Sequence, residues 1–298
     1  MSPHSPAPLT TRPSFSTFKP FTESEVSKIL LNFPNKQSDS EPIPTRLLKK
    51  CLSALVSSIP LSSNLQYLLC LKKPNSDKDQ LANYRPISNL SLVCQIIERV
   101  VKSPLTEHLT SNKLLNPHQS AYIQHHSTET ALLYIHDHLI NATGSKEVSS
   151  LCLFELSAAF DTIDHNILPT CLSFWFGIQG SALDWFKSYL SSCSFRVKCN
   201  NNFSSCHTCT CGVPQGSVLG PLVFIPYTTP LSTLISSLSL NLYADDTQLF
   251  FSFYPPVFNS SITQLQHSFQ KISSWMTANL LTLNSSKTEF PPTTTCQN

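Results

Sequence analysis

The sequence predicts an α+β fold in which a small antiparallel sheet packs against helices. Residues 238–242 alternate between apolar and polar side chains, and residues 249–253 form an aromatic-rich run, so the two segments are predicted to pair as a hairpin. The short apolar run at residues 151–154 predicts a buried strand. Apolar residues at helical spacing after the hairpin predict a helix on the back of the sheet, formed by Ile262, Leu265, Phe269, Ile272 and Met276.

Three further helices are predicted from capping residues and periodicity. Thr22 is expected to cap a short helix that ends at Leu31, with Glu25 completing a capping box. Ser127 is expected to cap a second helix, and Ser181 to open a third. The predicted buried faces of the second and third helices are, respectively, Ala131, Tyr134, Ile135, His138 and Leu139, and Leu183, Phe186 and Leu190.

Two adjacent carboxylates, Asp245 and Asp246, lie between the two predicted hairpin strands. Adjacent aspartates repel each other, so a fold normally keeps them together where a cation neutralises both. Oxygen ligands at a strand turn suit Mg²⁺ or Mn²⁺, the ions that assist nucleotidyl transfer. For the dipeptide alone an ordinary solvated turn is the alternative, because turns favour Asp for its local hydrogen bonds.

A glycine-rich loop precedes the hairpin. Residues 212–221 contain three of the six glycines of the chain, and Pro214 stiffens the entry to the loop. This composition favours a backbone that approaches a flat or charged group beside Gln215, although a simple turn is the alternative. Further upstream, Glu155 is a lone acid at the end of an apolar run, which is costly unless the carboxylate is paired or bound to metal.

Taken in order, these segments resemble the reverse transcriptase domain of non-LTR (LINE-type) retrotransposons. The family has an acid followed by Ser-Ala-Ala-Phe-Asp, then Gly-Val-Pro-Gln-Gly-Ser-Val-Leu-Gly-Pro, then Tyr-Ala-Asp-Asp, which match residues 155–161, 212–221 and 243–246. Residues 83–88, 126–132 and 275–289 also resemble family segments. The resemblance covers roughly residues 70–290, and weaker similarity extends back to about residue 21.

This resemblance implies a right-hand polymerase with fingers and palm, in which the thumb is expected to be missing. The expected divisions are a disordered N-terminus at 1–20, a degraded N-terminal fingers extension at 21–69, fingers at 70–148, palm at 149–290 and a tail at 291–298.

The resemblance also implies roles for individual residues. Glu155, Asp245 and Asp246 match the catalytic, metal-binding acids. Gln215 and Gly216 match the loop beside the incoming nucleotide. Phe160 matches the bulky residue that rejects a 2′-hydroxyl by steric exclusion. Arg85 and Lys287 are implied to contact triphosphate or template phosphate; the alternative is that both are ordinary surface cations. The implied cofactor is Mg²⁺ (or Mn²⁺), and the implied partners are an RNA template, a DNA primer and deoxynucleoside triphosphates.

Several positions depart from the family pattern. The family has Asp where this chain has Glu155, and a displacement of about 1 Å in a catalytic array costs roughly 100-fold in rate. Ile123 lies where many relatives carry Arg, and residues 57–69 are shorter than the corresponding segment of the family. Pro104 and Pro169 interrupt helical patterns, where an interior proline costs about 3 kcal/mol. These departures predict a truncated copy with little or no activity; the alternative is a non-catalytic, pseudogene-derived remnant or a weak nucleic-acid-binding module.

Composition adds little to this assignment. The formal charge is +2, with 15 basic and 11 acidic residues in 1–150 against 5 and 7 in 151–298, an asymmetry that suits nucleic-acid-contacting fingers and a metal-binding palm. No signal peptide or membrane span is expected, and eleven scattered cysteines indicate reduced thiols in an intracellular protein. Only Cys206 and Cys209 have zinc-ligand spacing, so a zinc site is not expected.

Overall fold

The α+β class is confirmed in a computed structural model that describes residues 13–19, 22–32, 64–72, 77, 79–80, 83–191, 193–199, 202–234, 239–284 and 288. The helices in these residues are α1 (Glu23–Leu31), α2 (Leu92–Ser111), α3 (Thr128–Gly144), α4 (Ile167–Phe176), α5 (Gly180–Ser191), α6 (Gly220–Thr228) and α7 (Phe258–Ala278). The strands are β1 (Asn64–Lys72), β2 (Tyr84–Asn89), β3 (Val148–Phe154), β4 (Cys193–Cys199), β5 (Asn202–Phe203), β6 (His207–Thr208), β7 (Ser239–Tyr243) and β8 (Asp246–Phe253).

The chain divides into two compact units. The first, called the hairpin unit below, comprises Met1–Thr11, Leu115–Ile163 and Phe224–Asn298. The second, called the loop unit, comprises Arg12–Leu114 and Asp164–Val223. The boundary falls within α6, and the fingers and palm ranges expected from the sequence stay predictions.

The hairpin unit contains a three-stranded antiparallel sheet in the order β3-β8-β7. One face of the sheet packs against α7, where the rings of Phe154 and Phe269 lie 5.0 Å apart. The predicted apolar stripe of α7 is confirmed, because Leu265, Ile272 and Met276 are buried. The other face meets α3, so helices cover both sides of the strands.

Helix α3 shows one departure from its predicted face. Ser127 caps the helix in a capping box with Thr130, as predicted for the cap. Ala131 is buried, but Tyr134 is 46% exposed and contacts the central strand β8 through Phe250, at a ring distance of 5.9 Å. The tyrosine therefore lies at the border of the buried face of the helix.

The loop unit contains a second sheet in the order β2-β1-β4-β5, with β6 also paired to β4. Strands β1 and β4 are parallel, and the other pairs are antiparallel. The capping box of Thr22 and Glu25 begins α1 as predicted. Helix α1 packs on α2 through a cluster that contains Val26, Leu30, Leu92, Ile96 and Val100.

The two prolines in helical patterns have different consequences. Pro169 is the third residue of α4, where its missing N–H would have no helical partner in any case. Pro104 lies inside the twenty-residue helix α2, where it removes one backbone hydrogen bond. Only Pro104 therefore carries the predicted cost.

Residues 13–19 lie in the N-terminal segment for which disorder is predicted, and they contact later residues of the loop unit. Residues 13–19 are described, and Phe15 pairs with Ile178 through a backbone bridge. The rings of Phe15 and His108 lie 5.1 Å apart, and those of Phe18 and Trp185 lie 5.6 Å apart. A Cβ at Gly177 would overlap the carbonyl oxygen of Pro13, so this glycine makes room for the segment. Phe15 and Phe18 supply apolar contacts that the Pro- and Ser-rich composition of the segment does not predict.

Within the described residues, no helix combines the length and the apolar character required to cross a membrane.

Candidate active site

The acidic pair lies at the end of a tight hairpin. Strand β7 ends at Tyr243, which pairs with Asp246 at the start of β8, so Ala244 and Asp245 form a two-residue turn. Ala244 has a φ of +56°, a left-handed conformation that favours glycine. Asp245 is half-buried and Asp246 is exposed. The predicted hairpin with acids at its turn is confirmed.

Glu155 lies at the same end of the sheet. It directly follows β3, whose last residue, Phe154, pairs with Thr247 of β8. One further step of this antiparallel register sets Glu155 opposite Asp246. The backbone then leaves the sheet, because the carbonyl of Glu155 accepts a hydrogen bond from the N–H of Asn284 at 2.9 Å. The fold thus brings the backbones of all three predicted acids to the same end of the sheet.

The three carboxylates do not form a preassembled metal cluster. Across the residues that the structure describes, no group of three or more His, Cys, Asp and Glu side chains is arranged to hold a metal ion. This applies equally to Cys206, Cys209 and Cys211, of which the first and last are exposed. The oxygen donors at the hairpin suit Mg²⁺ in chemical type and strand position, but their side chains would have to converge on the ion.

Gln119 supports the hairpin turn and was not identified from the sequence. Its side-chain oxygen accepts hydrogen bonds from the N–H groups of Ala244 at 3.1 Å and Ala121 at 2.9 Å. Its amide nitrogen donates to the carbonyl oxygen of Ala244 at 3.4 Å. Nearby, burial and then the charges of Asp245 and Tyr243 raise the pKa of Tyr122. The sequence did mark this position, because Gln119 begins the Gln-x-x-Tyr pattern. That pattern does not, however, reveal the contact of Gln119 with Ala244.

Phe160 lies in a single turn of 3₁₀ helix at Ala159–Asp161, which Ala158 enters with a φ of +49°. Its ring stacks on Phe224, with the centroids 4.8 Å apart and the planes inclined by 24°. The side chain remains half-buried. Loss of hydration raises the pKa of the adjacent Asp161. The ring of Phe160 therefore packs on Phe224 while part of its surface remains accessible.

The glycine-rich loop lies in the loop unit, against β2. The N–H of Ser88 donates to the carbonyl of Gln215 at 3.0 Å, and Gly216 adopts a φ of +96° that only glycine takes readily. The side-chain oxygen of Gln215 is buried and has no hydrogen-bond partner among the described residues. Such an acceptor is costly to leave unpaired, so it favours a donor supplied by a ligand.

A buried carboxylate anchors this loop from α2. Glu98 is 1% exposed; one of its oxygens accepts from the Tyr189 hydroxyl, and the other accepts from the N–H of Val218, both at 2.7 Å. Burial raises the pKa of Glu98, and the two hydrogen bonds partly offset that effect. Sequence reasoning missed this residue, although an acid in line with the buried residues Cys94 and Val101 was a detectable signal.

The two predicted phosphate-contacting cations have different outcomes. Arg85 is exposed on β2, whereas Lys287 lies outside the described residues. The register pairs Arg85 with Leu71 of β1 and Lys198 of β4 with Leu69 of β1, so the two cations share one face of the sheet. Arg196 lies two residues before Lys198 and belongs to the same face. Lys198 also lies over the ring of Phe203, 5.8 Å from its centroid.

Comparisons with known proteins agree with the motif order. Residues 71–296 match the family described as reverse transcriptase (RNA-dependent DNA polymerase). The chain is 28% identical over 248 residues to the probable RNA-directed DNA polymerase from transposon BS of Drosophila melanogaster, covering 79% of this chain and 26% of that protein. It is 26% identical over 250 residues to the corresponding protein of the transposon X-element from the same species, covering 76% of this chain and 27% of that protein.

A third relative is the RNA-directed DNA polymerase from the mobile element jockey of Drosophila melanogaster, which is 25% identical over 247 residues, covering 76% of this chain and 27% of that protein. The chain thus spans 26–27% of the length of these curated relatives. The family match extends over most of the chain and includes the hairpin, Glu155 and the glycine-rich loop. The chain belongs to the reverse transcriptase (RNA-dependent DNA polymerase) family and is a domain of the non-LTR retrotransposon type.

Proposed function

We propose that this domain extends a DNA primer on an RNA template by nucleotidyl transfer. In each step the 3′-hydroxyl oxygen of the primer attacks the α-phosphorus of a deoxynucleoside triphosphate, and pyrophosphate leaves. The observation that carries the proposal is the strand register, which brings Glu155 to the end of the sheet where the Asp245–Asp246 turn lies.

Glu155, Asp245 and Asp246 are the proposed ligands of Mg²⁺ (or Mn²⁺). When bound, the ion would supply charge neutralisation and would lower the pKa of the attacking hydroxyl. The chain contributes hard oxygen donors at the ends of neighbouring strands, where backbone pairing limits their movement. Without a cation the three like charges repel, which favours side-chain orientations that keep the carboxylates apart. We expect the side chains to converge when the ion binds.

We propose a role in nucleotide recognition for one residue of each unit, and the contacts that support each role lie within that unit. Phe160 would exclude a ribose 2′-hydroxyl by its bulk, because stacking on Phe224 keeps its ring from moving aside. Gln215 would use its unpaired side-chain oxygen to accept a hydrogen bond from the nucleotide, with Gly216 allowing the backbone to approach closely. These roles are assigned independently, one in each unit.

A basic face is proposed for the nucleic-acid phosphates. Arg85, Arg196 and Lys198 share one face of the second sheet by register, and Phe203 adds an aromatic ring beside Lys198. Cations with an interleaved aromatic side chain suit a nucleic-acid backbone and its bases. A role for Lys287 stays a prediction.

The family resemblance supports assigning residues 70–148 to the fingers and 149–290 to the palm. The ranges 21–69 and 291–298, and the expectation that a thumb is missing, also stay predictions.

The presence of Glu155 in place of the family aspartate favours the expectation that this chain has low activity. Its additional methylene moves the carboxylate relative to the family aspartate, and a shift of about 1 Å costs roughly 100-fold in rate. The same substitution is the reason to keep a second candidate function, in which the domain binds nucleic acid without catalysis.

Primer extension distinguishes the two functions. The chain is incubated with a DNA primer annealed to an RNA template and deoxynucleoside triphosphates, first with Mg²⁺ and then with Mn²⁺. Template-dependent extension that disappears in Asp245→Asn/Asp246→Asn supports the polymerase. No extension by a folded protein that still binds the annealed duplex supports the non-catalytic function and contradicts our proposal.

A further inference from the structure

We infer that Gln119 is a positioning residue that holds the Ala244–Asp245 turn in the shape required for metal binding. This inference rests on the proposed function, because it assigns Gln119 a task at the same site. Gln119 itself would contact neither the metal nor the substrate. It would act through the backbone of Ala244, the residue immediately before Asp245.

The contacts of Gln119 concentrate on one peptide segment. Its side chain accepts from the N–H of Ala244 and donates to the carbonyl of the same residue, so both backbone groups of Ala244 are bound by one amide. The remaining contact, from the N–H of Ala121, fixes the oxygen of the Gln119 side chain from its own chain segment. Gln119 is 1% exposed, so water does not readily replace these hydrogen bonds.

The backbone around Gln119 is itself fixed to β7. The N–H of Leu242 donates to the carbonyl of His118 at 2.7 Å, and the N–H of Ser120 donates to the carbonyl of Leu242 at 2.8 Å. These two bonds set Gln119 beside Leu242 in a parallel bridge. The side chain therefore extends along β7 to the turn, and the direction in which it reaches Ala244 is determined by main-chain pairing.

The turn requires this support because Ala244 is in the left-handed region. An L-residue pays roughly 1–2 kcal/mol for that conformation, whereas glycine does not. A two-residue turn has no further residues over which to distribute the strain. Bonds to both backbone groups of Ala244 favour the strained conformation, and hence the directions of the two following carboxylates.

Two matched substitutions test the inference. Gln119→Met retains length and removes all three hydrogen bonds, while Gln248→Met makes the same change on β8. Gln248 accepts a hydrogen bond from Asn241 at 2.7 Å, so its replacement removes a bond from the same sheet without contacting the turn. A third variant, Gln119→Met/Ala244→Gly, removes the need for support because glycine accepts a positive φ.

The first measurement needs no metal. Selective ¹⁵N-alanine labelling reports hydrogen exchange at Ala244 and Ala121, the two amides that donate to Gln119. We expect Gln119→Met to accelerate exchange at both by about tenfold, in line with the loss of one hydrogen bond each. We expect Gln248→Met to leave both rates at the wild-type values. Unchanged exchange in Gln119→Met would refute the support of the turn.

The second measurement is the dissociation constant of Mn²⁺, followed by electron paramagnetic resonance. We expect it to rise about tenfold in Gln119→Met, to stay unchanged in Gln248→Met, and to return to within about threefold of wild type in the double variant. Equal weakening in both single variants, or no recovery with Ala244→Gly, would overturn the positioning role. If Gln119→Met does not fold, Gln119→Asn, whose shorter amide loses contact with Ala244, is measured in its place.

The two measurements separate this inference from the proposed function. If Asp245→Asn/Asp246→Asn binds Mn²⁺ as tightly as wild type, the proposed metal site is wrong, and the positioning role in metal binding is wrong with it. Exchange at Ala244 would then still establish whether Gln119 holds the turn. Mn²⁺ binding that depends on both aspartates but not on Gln119 would leave the proposed function intact and refute the inference alone.

Discussion

The carboxylate of Glu98 accepts a hydrogen bond at 2.7 Å from the backbone N–H of Val218, across 120 residues of sequence. Val218 lies in the glycine-rich loop, three residues after Gln215. The second oxygen of Glu98 is bound by Tyr189, whose own pKa is raised well above its ordinary value, first by burial and then by the charge of Glu98. A buried acid on α2 thus fixes the backbone of the loop that we assign to nucleotide binding.

We predict that Glu98 gives folding a characteristic pH dependence. Because its pKa is raised in the folded chain, its stabilising contribution is fully present below the unfolded value of about 4.5 and is lost as pH rises through the folded value. Glu98→Gln should remove this fall in the free energy of unfolding, measured by urea denaturation at a series of pH values. Tyr189 is the titratable neighbour bonded to Glu98, and its raised pKa places its ionisation at the alkaline end of the series.

The control for Glu98 is Glu107→Gln, the same change at an exposed position on α2. It should keep the pH profile of the wild type. An identical profile in Glu98→Gln and wild type would show that the buried carboxylate does not couple folding to pH.

We predict that Mg²⁺ stabilises the fold through the hairpin acids. A ligand that binds only the native state adds about 2.7 kcal/mol at a concentration 100 times its dissociation constant. The melting temperature of wild type should therefore rise across millimolar Mg²⁺, whereas that of Asp245→Asn/Asp246→Asn should not. Asp184→Asn is the control, because Asp184 is an exposed acid paired with Lys187 at 3.6 Å. A Mg²⁺ response that survives in the double variant would contradict the site.

We predict that Glu155→Asp increases the rate of primer extension. The shorter side chain restores the family carboxylate, and recovery of up to about 100-fold is expected if ligand length limits the reaction. The measurement is single-nucleotide incorporation with saturating primer-template. A variant that binds Mn²⁺ normally without any gain in rate would assign the defect to another part of the chain.

We predict that Phe160→Val weakens discrimination against ribonucleotides. Removing the ring opens the space in which a 2′-hydroxyl would otherwise clash, so the ratio of deoxynucleotide to ribonucleotide incorporation should fall by tenfold or more, about 1.4 kcal/mol. Phe269→Val is the control, since Phe269 packs on Phe154 and its loss should lower stability while keeping the ratio. Equal ratios in Phe160→Val and wild type would remove Phe160 from substrate selection.

Local signals in the sequence were sufficient to predict the elements that are stabilised by residues close to one another in the chain. The capping box of Thr22 and Glu25 satisfies backbone groups within one turn, and it begins α1 as predicted. The alternating and aromatic runs around Asp245 specify the hairpin for the same reason, since a two-residue turn forces the adjoining strands to pair. The motif order around these elements was enough to assign the family.

The tertiary structure alone decided which residues support the site. Gln119 meets Ala244 across 125 residues, and Glu98 meets Val218 across 120, because strand pairing and helix packing bring remote segments together. Each of the two side chains lies in a recognisable local pattern, but no pattern in the sequence reveals the partner that it contacts. The packing of residues 13–19 likewise depends on contacts of Phe15 and Phe18 with rings that lie far along the chain. Sequence therefore determined the local elements and the positions of the acids, whereas long-range packing determined how their backbone is held.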